Sequence, residues 1–167
     1  MHGLVMLDEN DKIIRPAILW NDGRSAKQCK YLNNEIGKKK LTEYTANIAF
    51  AGFTAPKLLW MRDTEPENFT KISKIMLPKD YINYKLTGVH CTDYSDASGM
   101  LLLDVQHKCW SKEMLDICGV SEAALWATAS ATSRWEPPVP CSSPAAPLVW
   151  TSRTPCTALT MQTAATT

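Results

Sequence analysis

Arg15-Pro16-Ala17-Ile18-Leu19-Trp20-Asn21-Asp22-Gly23-Arg24 is the stretch on which the reading of this sequence turns. Its first half, preceded by Ile13 and Ile14, is strand-like. Pro16 confines its part of that strand to an edge or a bulge, because proline donates no backbone hydrogen bond. Leu4-Val5-Met6-Leu7 is a second such run, and the intervening Asp8-Glu9-Asn10-Asp11-Lys12 is turn chemistry, so the two predict a hairpin. Asn21-Asp22-Gly23 breaks the strand and suits the cap of a helix. From Arg24 to Ile36, Ala26, Cys29, Leu32 and Ile36 recur at helical spacing, with Gly37 as a stop.

The same punctuation continues along the chain. Thr54-Ala55-Pro56 opens a helix carrying Leu58, Leu59 and Met61, and Pro66 opens a further turn. Ile72, Ile75, Met76 and Leu77 lead to Pro78-Lys79-Asp80, the start of a helix that runs through Leu86 and stops at Gly88. Met100-Leu101-Leu102-Leu103 predicts a short buried strand. Ser111 caps a helix ending at Gly119, and Ser121 caps another. Residues 1–124 therefore read as part of a layered α/β domain.

Composition narrows the partners. The 18 lysines and arginines balance 17 acidic residues, for a net charge of +1, which gives no electrostatic reason to expect nucleic acid or an anionic membrane. No apolar run approaches the ~20 residues of a membrane helix. Met1 to Asp8 lacks the basic region of a secretory signal. Six cysteines (Cys29, Cys91, Cys109, Cys118, Cys141 and Cys156) include no C-x-x-C pair. Cys29 and Cys118 fall on apolar helix faces, as small hydrophobes do. A cytoplasmic protein with reduced thiols is expected. His90-Cys91 and His107-Lys108-Cys109 are the only suggestive metal-ligand neighbours, and two adjacent ligands do not close a tetrahedral site.

Near residue 125 the composition changes. Residues 125–167 contain no Gly, Lys, Asp or Ile, and Ala, Thr, Ser and Pro dominate. Trp135-Glu136-Pro137-Pro138-Val139-Pro140 and Ser142-Ser143-Pro144-Ala145-Ala146-Pro147 cannot sustain a helix or a central strand. One reading is a disordered linker. Trp126, Trp135 and Trp150 sit badly with a linker, so out-of-frame translation appended to a genuine segment is the favoured reading, and the gene sequence past Leu125 decides it.

No G-x-x-x-x-G-K-[ST] loop, G-x-G-x-x-G turn or G-x-S-x-G elbow occurs. The polar clusters that stand out are His2-Gly3, Trp20 to Arg24, and Asp93-Tyr94-Ser95-Asp96-Ala97-Ser98-Gly99. A strand ending in an indole, followed by an amide, a carboxylate and a guanidinium, supplies one apolar plate and several directional partners. Sugars want that combination, because their C–H faces stack on aromatic rings and their hydroxyls need paired donors and acceptors. A purely structural account of the same residues makes Trp20 core, Asp22 an N-cap and Arg24 the partner of a nearby carboxylate.

The Met1-His2-Gly3 and Arg15 to Arg24 runs resemble the xylulokinase branch of the FGGY carbohydrate kinases. So do Gly52-Phe53-Thr54-Ala55-Pro56-Lys57-Leu58-Leu59-Trp60, Leu77-Pro78-Lys79-Asp80-Tyr81, Asp93 to Gly99 and Leu103-Asp104-Val105, in the same order and spacing. The resemblance implies part of the N-terminal domain of an actin-like, ribonuclease-H-like sugar kinase over residues 1–124, with an irregular tail over residues 125–167. It implies substrate contacts from Met1, His2, Trp20, Asn21, Asp22 and Arg24, with D-xylulose or a related ketose as partner. Phe50 and Phe53 are expected near the same pocket on a looser alignment. Asp93 and Asp96 are expected to order a loop, and Lys57 and Trp60 to position their helix.

For the full-length family the resemblance implies ATP and Mg²⁺, with the γ-phosphoryl group passing to the 5-hydroxyl of D-xylulose and an aspartate base taking the hydroxyl proton. The family's phosphate loop is expected to precede Met1. Its catalytic aspartate and nucleotide-binding domain are expected beyond residue 125. This chain alone is therefore expected to be inactive, to bind neither cofactor well and to self-associate through an exposed sheet edge.

Overall fold

The computed structural model describes residues 2–125 and a strand at 128–129. Met1 and the rest of the tail, the first a predicted contact and the second the predicted irregular segment, lie outside the described residues.

Strand β1 (Val5–Leu7) is buried at every position and pairs antiparallel with β2 (Lys74–Met76), Met6 opposite Ile75. On its other side run the isolated antiparallel bridges Leu4–Ile18 and Leu7–Ile13. The predicted hairpin is present, but its second arm pairs only at these two places. Leu4 and Ile18 exchange both backbone bonds, at 2.8 and 3.0 Å. Between the bridges lies Pro16, which cannot donate to a ladder. The connecting turn is fixed by Asp8, whose Oδ1 accepts from the Asn10 and Lys12 amides at 2.8 and 2.9 Å.

Helix α1 (Ala26–Tyr31) continues into a π-helical turn (Leu32–Gly37). Gly37, at φ +94°, breaks the helix as its sequence suggests. The chain then resumes as α2 (Lys38–Thr45), a helix not predicted because Leu41 is almost the only core residue behind a run of lysines. Helix α3 (Thr54–Thr64) is the central element, burying every residue from Thr54 to Leu59 together with Met61. Its neighbour α4 (Pro66–Phe69) begins at Pro66, as expected.

Beyond β2, helix α5 (Pro78–Thr87) ends at Gly88 in the left-handed conformation. Strand β3 (Thr92–Asp93) precedes α6 (Tyr94–Ser98) and pairs in parallel with β6 (Thr128–Ala129). The Met100–Leu103 run is buried as predicted, though only its end is strand: β4 (Leu103–Asp104) pairs with β5 (Cys109–Trp110). Helix α7 (Lys112–Cys118) starts on Ser111 and stops at Gly119, and a 3₁₀ turn follows at Glu122–Ala124. Leu4, Met6, Ile18, Leu32, Leu58, Leu59, Met100 and Met114 join one apolar core.

Cys29, Cys91 and Cys118 are free thiols. Burial pushes Cys118 up to about 12, so it stays protonated as a core hydrophobe.

Ser111 is buried, accepts from the Met114 amide and donates to Glu113 Oε2 at 3.1 Å. Ser111→Ala is expected to cost about 0.5–2 kcal/mol of stability, read as a lower denaturant midpoint at unchanged slope.

Candidate functional site

His2 begins where strand geometry ends. Its φ of +47° turns the backbone into the left-handed region, and its carbonyl accepts from Thr54 Oγ1 at 3.4 Å at the start of α3. Next along that helix, the Ala55 amide donates to the Met100 carbonyl at 2.9 Å. The first turn of α3 thus links the His2 segment to the Gly99-Met100 segment.

The imidazole packs edge-on against Phe53, with ring centroids 5.4 Å apart and an interplanar angle of 63°. Phe50 meets Phe53 in the same manner at 5.3 Å. Nδ1 of His2 is buried with no hydrogen-bond partner. Burial lowers the imidazole pKa from 6.5; the Asp96 carboxylate opposes that, while the chain's amino group and Lys57 add to it.

The wall that carries Phe50 and Phe53 is fixed by Lys57, whose side chain is completely buried. Its ammonium donates to the Ala51, Gly52 and Phe53 carbonyls at 3.0, 2.5 and 2.9 Å. Ser25 Oγ adds a bond to the Ala51 carbonyl at 3.2 Å. Burial holds the Lys57 pKa down to about 8, against the attraction of the Asp22 carboxylate. Gly52 lies so close to the hairpin arm that a Cβ there would meet the Trp20 carbonyl at 2.9 Å. One loop therefore touches both His2 and the Trp20 segment.

Trp20 is not core: 64% of it is exposed, beside Leu19 and Phe50 at 51% each. Asn21 is exposed as well. Asp22 is not an N-cap of α1, whose preceding residue is Ser25. It accepts from the Arg24 amide at 3.0 Å and from Arg24 Nε at 2.9 Å, while its other oxygen meets Arg24 Nη2 at 2.7 Å. These bonds, with Arg24's side chain first, hold the Asp22 carboxyl below its ordinary range. The Arg24 guanidinium also covers Trp60 at 4.8 Å from the ring centroid, and Arg15 approaches the same ring at 5.4 Å. Arg15 pairs with Glu65 at 2.5 Å. Lys57 and Trp60 thus hold the loop and the hairpin arm against α3.

On the opposite side, Lys79 pairs with Asp80 at 2.5 Å, Asp93 at 2.7 Å and Asp96 at 3.4 Å. Burial works against its ammonium, but the Asp80 and Asp93 carboxylates outweigh that and raise its pKa. Asp93 also caps α6 by accepting from the Asp96 amide at 2.9 Å. Loop ordering is what both aspartates do. Among the described residues no group of three carboxylate, imidazole or thiolate side chains could hold a metal, and the three carboxylates here already share an ammonium.

The structure brings His2 and Trp20 to one loop and commits Asp22 and Arg24 to each other. Sequence reasoning gave Phe53 only a loose place and gave Gly99 no role. The signal for Lys57 was available: a lone lysine within the apolar Thr54–Leu59 run.

Residues 1–136 match the FGGY family of carbohydrate kinases, N-terminal domain, and the chain belongs to that family. Among its relatives is the xylulose kinase of Lactococcus lactis, 48% identical over 134 residues that make up 80% of this chain and 26% of the relative. The xylulose kinase of Escherichia coli is 46% identical over 121 residues, 72% of this chain and 25% of that protein. The chain thus spans about a quarter of the length of these relatives. Among solved structures, a xylulose kinase from Brucella ovis superposes with a TM-score of 0.73 at 40% identity, covering 77% of this chain and 26% of its own. The architecture is that of the N-terminal region of the actin-like sugar kinases.

Two substitutions probe the site's scaffold. Lys57→Met strips the Gly52 and Phe53 carbonyls of their ammonium partner and is expected to cost about 1–3 kcal/mol or more in denaturant unfolding. His2 titrates lower in the folded chain than the 6.5 of its ordinary state, so its contribution to stability is complete above that value and is lost as pH falls through its folded pKa. The unfolding midpoint is accordingly expected to drop more between about pH 7.5 and pH 5 in the native chain than in His2→Gln.

Proposed function

We propose that this chain forms the sugar-facing part of a xylulokinase-type carbohydrate kinase, with a ketose such as D-xylulose lying against His2 and Trp20. The observation that carries this reading is an imidazole fixed against Phe53, with Nδ1 buried, served by the same loop that abuts a largely exposed Trp20 segment. With Nδ1 buried, a sugar hydroxyl meets the ring through Nε2. The indole supplies a face for the sugar's C–H groups.

The xylulose kinases among the relatives support the choice of substrate. Asn21 offers an exposed amide for a second hydroxyl. Asp22 and Arg24 keep the arm in shape and leave their outer lone pair and N–H groups for solvent or sugar. Met1 stays part of the proposed contact set on resemblance alone.

In the complete kinases, ATP and Mg²⁺ supply the phosphoryl group and stabilise its charge during transfer. Among the described residues no group of three carboxylate, imidazole or thiolate side chains is placed to hold the metal. Lys79 offsets part of the charge of their carboxylate cluster, and the proposed contribution of this chain is to bind and orient the sugar.

Titration calorimetry of the chain with D-xylulose into the millimolar range is expected to give saturable heat, with an affinity that His2→Ala lowers by about tenfold. No heat across that range would overturn the sugar-binding reading. ADP release with ATP, Mg²⁺ and D-xylulose is expected to stay at background, and turnover would overturn the restriction to binding.

A further inference from the structure

Gly99 lies directly beneath the His2 ring. A Cβ built on it would stand 2.7 Å from His2 Nε2 and would overlap Cε1 and Nδ1 outright. Nothing in the backbone calls for glycine here: φ is −82° and ψ −2°, the negative-φ turn conformation that L-residues adopt at the end of a type I turn. The position is buried, and its amide completes the α6 turn by donating to the Asp96 carbonyl at 3.1 Å. The absence of a side chain is required only by what sits above it.

The ring has no room to retreat. Phe53 packs against it at 5.4 Å, and Lys57 pins the Phe53 loop through three carbonyls. The Thr54 hydroxyl holds the His2 carbonyl, and the Ala55 amide holds the Met100 carbonyl one residue past Gly99. Capping by Asp93 and pairing with Lys79 keep the α6 segment where it is. Each wall is thus held in place, and the imidazole fills the slot between them.

We propose that Gly99 is a positioning residue for His2, its missing side chain being the space that seats the imidazole in the orientation presented to the sugar. A methyl group there would drive the ring out of the slot instead of moving the wall, because an exposed rotamer costs less than displacing two anchored segments. The consequence for sugar binding rests on the function proposed above. The seating itself does not.

A double-mutant cycle tests it in the full chain. Gly99→Ala is expected to lower the melting temperature by roughly 5 °C or more. The same change in a His2→Ala background, where the ring is gone, is expected to cost almost nothing. NMR titration of the His2 ring protons supplies a readout that a merely structural role would not move. In Gly99→Ala the pKa is expected to rise toward 6.5 as the ring leaves its burial, with the Asp96, Lys57 and amino-terminal charges still facing it. D-xylulose affinity is expected to fall by about tenfold, the worth of one hydrogen bond, with no further loss in the double variant. Equal destabilisation by Gly99→Ala in both backgrounds, or an unchanged His2 titration, overturns the proposal. Persistent coupling between Gly99 and His2 while His2→Ala leaves D-xylulose binding intact would instead overturn the sugar reading and leave the seating in place.

Discussion

An ammonium group with no access to water must find its hydrogen-bond acceptors in the protein, and Lys57 finds three in consecutive carbonyls. Burying a charge without such partners would be prohibitive. With them, the lysine converts a loop that has no secondary structure of its own into a fixed wall. Everything facing that loop inherits the order: Phe53 against His2, Phe50 against Phe53, and Gly52 against the Trp20 carbonyl. The low pKa of about 8 reflects the burial this arrangement demands.

A second lysine does the corresponding work across the slot. Asp80 sits in the first turn of α5, and Asp93 and Asp96 lie at the start of α6, positions where carboxylates complement exposed helix amides. Brought together, they would repel. Lys79 cancels part of that repulsion and joins the two helix starts. The two lysines act by different means, one through carbonyl dipoles and one through full charges, yet each fixes one side of His2. The hairpin arm is tied in by a third device, the Arg24 and Arg15 guanidiniums over Trp60, with Asp22 and Glu65 as counter-charges.

How much of this the sequence disclosed depends on how local the cause was. Gly88 and Gly119 end helices, Pro66 and Pro78 start them, and Ser111 caps one, all from chemistry within a few residues. Helix α2 escaped notice because its lysines mask a single buried leucine, and the second hairpin arm pairs less than expected because Pro16 interrupts it. At the site, Trp20 and His2 could be named from residue type, whereas Gly99 could not. Its need for hydrogen in place of a methyl group arises from a ring 97 positions away in the chain, and no local pattern encodes that. The Asp22–Arg24 pair shows the opposite failure. Residue types alone offer both as ligands, and only geometry reveals that their strongest bonds go to each other.

The division between satisfied and unsatisfied groups bears directly on where specificity resides. A bidentate carboxylate–guanidinium pair is strong and self-sufficient, so a neutral sugar gains little by competing for it. An imidazole held by packing, with one nitrogen buried and unpartnered, has no such internal alternative. In the proposed site its bond to a hydroxyl would replace only a bond to water, and the ring would need no reorganisation to make it, because the slot has already fixed its orientation. The wide exposed indole adds area without adding a competing charge. In the proposed sugar site, selectivity for a polyol would therefore fall on the least charged members of the cluster, while the charged members hold the walls that keep those few groups in place.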